Sequence, residues 1–101
     1  MVMAEVSIVP LGTKSPSVSE YVARALGILE QEPDIKYELT PMGTIIEGEW
    51  SKVLNAVKKM HDSTFSDEIV RVVTTIKIDD RRDKALSMRG KIESVQKRLG
   101  H

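Results

Sequence analysis

The chain of 101 residues contains no cysteine. That removes disulfides, thiolate metal sites and cysteine nucleophiles together, and it fits a reducing compartment. Aromatic residues are also scarce, with one Trp, two Tyr and one Phe. The core must therefore be built from Val, Ile, Leu, Ala and Met, which pack well but offer few flat surfaces for stacking a ligand. No apolar run approaches the roughly 20 residues needed to span a bilayer. The opening MVMAEVSIVPLG carries an acid at Glu5 and no basic stretch, unlike a secretory leader. The expectation is a cytoplasmic protein. A length of this order serves one core, so residues 1–101 read as a single domain.

Net charge is absent as well, with 15 Lys and Arg against 15 Asp and Glu. Its distribution is uneven: residues 1–50 hold three bases against eight acids, and residues 79–101 hold seven against four. An acidic first half argues against nucleic acid, whose binding rests on Lys and Arg neutralising phosphates.

What is present is periodicity. VMAEVSIVPL begins with period-two character, and Pro10 predicts a strand over 2–9. Ser15 before Pro16, and Ser17 with Glu20 three residues on, are two ways to start a helix. Val18, Tyr21, Val22, Ala25, Leu26 and Leu29 recur at helical spacing until Pro33. IKYELT and TIIEG, separated by Pro41, Met42 and Gly43, predict an antiparallel hairpin. Trp50, Val53, Leu54, Val57 and Met60 give a second helical stripe, with Trp50 expected in the core. EIVRVVTTIKI is the strongest strand signal, with Val70, Val72, Thr74, Ile76 and Ile78 on one face and Arg71, Val73, Thr75 and Lys77 on the other. Asp79 or Asp80 then caps a last helix striped by Ala85, Met88, Ile92, Val95 and Leu99.

The predicted order is β-α-β-β-α-β plus a C-terminal helix, an α+β ferredoxin-like sandwich with two helices on one face of a four-stranded antiparallel sheet. The other face stays half apolar unless the last helix folds back on it. Such a face wants a partner, which predicts a homo-oligomer.

Enzymes of this size announce themselves by a nucleophile with its base, a metal cluster or a phosphate loop. None stands out. His61 lies beside the second helical stripe and reads as a packed side chain. Asp79, Asp80 and Asp83 suggest a hard cation, but Arg81, Arg82 and Lys84 interleave them, which favours surface ion pairs. The SPSVS stretch places hydroxyls at a helix start, either as caps or as an anion site. At the hairpin, Pro41 and Gly43 read as turn residues. Thr40, Thr44 and Glu47 bring two hydroxyls and a carboxylate onto adjoining strands, as a surface feature or as a site for a cationic ligand.

MAEVSIVPLGT, SVSEYVARAL, YELTPMGTIIEGEW and RVVTTIKIDDRRDK, in that order and spacing, resemble the small thiamine-binding protein family. The resemblance covers nearly the whole chain. It implies a ferredoxin-like subunit, assembled as dimers that pair into tetramers, binding thiamine or a related pyrimidine without turnover and without a cofactor. By motif position it implies that Ser17, Ser19, Thr40, Met42, Gly43, Thr44 and Glu47 line the site. Thiamine has a cationic thiazolium, an aminopyrimidine and a hydroxyethyl tail. The expected roles are Glu47 for the cation, Thr40 and Thr44 for the pyrimidine, Ser17 or Ser19 for the tail, and Met42 for adaptable apolar contact. Two other classes stay open: a small hydrolase or phosphatase using the helix start at 15–19, and a module whose open sheet face binds another protein.

Overall fold

Strands and helices follow one another as β1 (Val2–Leu11), α1 (Ser19–Glu30), β2 (Lys36–Thr40), β3 (Gly43–Gly48), α2 (Trp50–Thr64), β4 (Arg71–Asp79) and α3 (Met88–Arg98) in the computed structural model, which describes residues 1–12, 19–83 and 88–100. The strands form one antiparallel sheet in the order β2-β3-β1-β4. The helix starts expected at Ser15 or Ser17 lie outside the described residues, as does Ala85.

Strand register assigns the faces. Ala4 is opposite Ile46 and Ile78, and Val6 is opposite Thr44 and Ile76, so these side chains share the face that the first two helices cover. Val2, Ala4 and Val6 of β1 and Ile46 of β3 meet Ala25 and Leu29 of α1 and Val53, Ala56, Val57 and Met60 of α2 in one apolar core. The opposite face carries Met3, Glu5, Ile45, Glu47 and Lys77 at the intervening register positions. Period two in the sequence is thus converted directly into a two-sided sheet.

Several expectations are corrected. β1 runs through Pro10 to Leu11, pairing Pro10 with Val72. Pairing with β3 ends at Val6 and Thr44, so beyond that point β1 is an edge on one side, where a proline is tolerated. Trp50 is 49% exposed: it opens α2 on the solvent side of a stripe that Val53, Val57 and Met60 bury. Val70, expected at the head of the β4 stripe, precedes the strand and is 81% exposed. Asp79 ends β4, where its carboxylate pairs with Lys91 of α3. The last helix does come back towards the sheet, with Arg89, Ile92, Glu93 and Gln96 across a cleft from Lys36, Glu38 and Glu47.

Candidate functional site

The β2–β3 hairpin is held by its own side chains. Thr40 and Gly43 are the last register pair, leaving Pro41 and Met42 as the loop. The Thr40 hydroxyl donates to the Gly43 carbonyl at 2.8 Å and accepts the Met42 N–H at 3.3 Å. Gly43 has φ +150°, and a Cβ there would lie 2.8 Å from the Val6 carbonyl oxygen. Only glycine lets the hairpin lie this close to β1.

A cavity of about 230 Å³ opens between this hairpin, β1 and the two core helices. Tyr21, Leu39, Met42, Thr44, Met60 and Thr64 are among its walls. The walls are largely apolar. The Thr64 hydroxyl is occupied, donating to the Met60 carbonyl at 3.0 Å. Thr44 is different: it is only 6% exposed, and its hydroxyl makes no hydrogen bond with a described residue. No buried side-chain oxygen among the described residues is sealed off without a partner, so the Thr44 hydroxyl opens into the cavity. A buried hydroxyl that has lost most of its water and gained no protein partner is available to a ligand. Beside the wall residue Tyr21, the Arg24 guanidinium lies 5.8 Å from the ring centre and donates to the Ser63 carbonyl at 3.2 Å.

Of the residues expected at the site, Thr40, Met42, Gly43 and Thr44 border this cavity. Ser17 lies outside the described residues, and Ser19 is the first residue of α1. Glu47 does not join them within one chain. It follows Thr44 by an odd number of residues along β3 and so faces the other side of the sheet, beside Lys36 and Met3 in register. There it is also 6% exposed and borders the cleft beneath α3. The odd spacing was visible in the sequence, and it is the signal that separates the two residues. Tyr21, read as part of the buried stripe of α1, is a cavity wall, and Met60 lines the cavity while also being part of the core, as its spacing predicted.

The remaining polar candidates have structural roles. The His61 Nδ1 is 2.6 Å from the Thr74 hydroxyl, and the ring packs edge-on against Phe65. Asp80 pairs with Arg82 at 3.1 Å, and Arg81 donates to Asp83 at 2.9 Å. The perturbed groups lie on this same surface layer. A hydrogen bond from Lys58 holds the Asp62 carboxyl below its ordinary range, and hydrogen bonds to Asp34 and Asp83 raise Lys52 and Arg81.

Comparison with known proteins agrees with this architecture. The sequence model of a family described as thiamine-binding protein matches residues 4–96. The chain belongs to the thiamine-binding protein family. UPF0045 protein YqgV of Bacillus subtilis is 50% identical, over 98% of this chain and 98% of that protein. A crystal structure of the hypothetical protein MJ1052 from Methanocaldococcus jannaschii superposes with a TM-score of 0.86 at 41% identity, covering 94% of this chain and 95% of that one. A Thermotoga maritima structure, named as a candidate thiamine biosynthesis or salvage protein, shares the fold with a TM-score of 0.75 at 22% identity, covering 93% and 97%.

Proposed function

We propose that this chain binds thiamine or a related pyrimidine, without chemical turnover, in the cavity beneath the Thr40–Thr44 hairpin. The observation that carries the reading is the Thr44 hydroxyl, buried, without a protein partner and opening on an apolar cavity in a member of this family. Ligand sites commonly combine apolar walls with a few fixed polar groups. At about 230 Å³ the cavity is smaller than the roughly 300 to 1,000 Å³ usual for drug-sized ligands, which suits one ring inside and the rest of the molecule at the mouth. In this reading Thr44 meets a pyrimidine nitrogen or amine, and Met42 and Tyr21 supply apolar contact. Thr40 and Gly43 shape the turn, and the ligand's tail is assigned to Ser17 or Ser19. Glu47, on the other face of the sheet, stands outside this cavity.

The binding unit in this reading is a cytoplasmic homo-oligomer, a dimer of dimers, which carries, stores or senses the vitamin. The hydrolase reading needed the helix start at 15–19, most of which lies outside the described residues, and the His61–Thr74 hydroxyl pair does not line the cavity.

Calorimetric titration separates the readings. Thiamine or hydroxymethyl-pyrimidine gives saturable heat, and Thr44→Val weakens it by about two- to tenfold, the usual size of one neutral hydrogen bond. Silence with both ligands at millimolar concentration sinks the proposal.

A further inference from the structure

We infer that the cleft between α3 and the open face of the sheet is a second binding site, one for a small organic cation held by the Glu47 carboxylate. Glu47 is 6% exposed, and its carboxylate takes part in no hydrogen bond or ion pair with a described residue. A carboxylate removed from most of its water is costly unless donors or a cation meet it. The nearby cations do not. Lys36, its register neighbour on β2, forms no ion pair with it. Arg89 is already engaged, donating to Glu93 at 3.0 Å. Because no buried side-chain oxygen among the described residues is sealed without a partner, the carboxylate tip opens into the cleft.

The lining sets the ligand class. Glu38, Glu47 and Glu93 against Lys36 and Arg89 leave one uncompensated negative charge, which a monocation balances. At about 630 Å³ the cleft is far larger than a bare ion requires, and the described acids and histidines form no group able to hold a metal ion. Ile92 of α3 adds a half-exposed apolar wall. An ammonium group with a short alkyl chain satisfies all three features: charge on Glu47, N–H donors towards Glu38 and Gln96, and methylenes against Ile92. The site is independent of the thiamine reading, since it lies on the opposite face of β3 from Thr44. It also lies on the β2–β3 half of that face, away from the exposed Val9 and Val73 on β1 and β4.

The test titrates n-butylammonium chloride into the full chain, at ionic strength matched with sodium chloride, while the Glu47 carboxyl carbon is followed by NMR. The expected result is a saturable shift at Glu47 that butan-1-ol does not produce. Glu47→Gln preserves the shape and weakens saturation, read at the neighbouring Ile45 and Lys36 amides, by at least tenfold. Lys36→Met removes a competing charge and tightens binding severalfold, an effect of opposite sign that a merely structural role for the strand would not give. Thr44→Val leaves the ammonium response unchanged while weakening thiamine. An equal response to butan-1-ol, unaltered binding in Glu47→Gln, or weaker binding in Lys36→Met overturns the inference. So does a wild type silent to the ammonium in which Glu47→Gln lowers the mass seen by light scattering, because the carboxylate's partner is then another copy of the chain.

Discussion

Gly43 answers two demands at once, a positive φ of +150° and the approach of the Val6 carbonyl to 2.8 Å from where a Cβ would stand. Gly43→Ala should therefore lower stability by about 1 to 3 kcal/mol in urea unfolding, since both the backbone and the β1 contact must yield. A loss below half a kilocalorie or so would mean that the hairpin lifts off β1 without resistance. The need for glycine in this turn was legible in Thr-Pro-Met-Gly-Thr; the reason for it was not, because Val6 lies far away in sequence. The same holds for Thr40. Its hydroxyl looked available to a ligand, but its bonds to the Gly43 carbonyl and the Met42 N–H bind it into the turn. Thr44 and Glu47 were both found as candidates by residue type, yet strand parity divides them between the two faces.

Elements differ in how firmly the sequence dictates them. α2 buries Val53, Ala56, Val57, Met60 and Thr64 along one stripe, of which the helical spacing in the sequence announced Val53, Val57 and Met60. Its solvent face is held by local charge instead. Lys58 and Asp62, one turn apart, pair at 2.7 Å, and that hydrogen bond lowers the Asp62 carboxyl from its ordinary value. A folded value below the unfolded one stabilises the fold above the ordinary carboxylate range near pH 4, and the contribution fades as pH falls through the lowered value. Asp62→Asn should thus melt below wild type at about pH 7, and the two melting curves should converge by about pH 2. A gap that persists in acid would assign the effect to helix propensity. α3 shows the opposite case. Its stripe of Ile92, Val95 and Leu99 was read correctly as apolar, but all three remain exposed, so periodicity located the helix without saying what it packs on.

The whole molecule is less compact than its length requires. Its radius of gyration is 15.2 Å, against about 13 Å for a globular chain of 100 residues, and its long dimension is 49 Å. Val9 and Val73 on the open sheet face add to the exposed apolar residues of α3. These features favour self-association, and light scattering at tens of micromolar should return the mass of a dimer or tetramer. A monomer would leave this apolar surface bare and would remove the oligomeric part of the proposed function. The four antiparallel strands and the covering of one face by the first two helices were legible in the sequence because they follow from periodicity and short connections. The cavity and cleft were not, because each is made by elements distant in the chain.

β3 has a consequence at this scale that concerns tolerance to change. From Gly43 to Gly48 it has no exposed position, whereas β2 and β4 each present several residues to water. Gly48 is confined too, since a Cβ there would lie 3.3 Å from the Asp34 carbonyl oxygen. Strands with one wet face accept substitution at alternate positions. In a library of all single replacements scored for soluble expression, β4 should show that rhythm and β3 should show none, with every site from 43 to 48 intolerant of most residues. Free substitution at Ile45, which faces away from the core helices, would break the expectation. The strand that supplies both Thr44 and Glu47 is then also the one least able to drift in sequence.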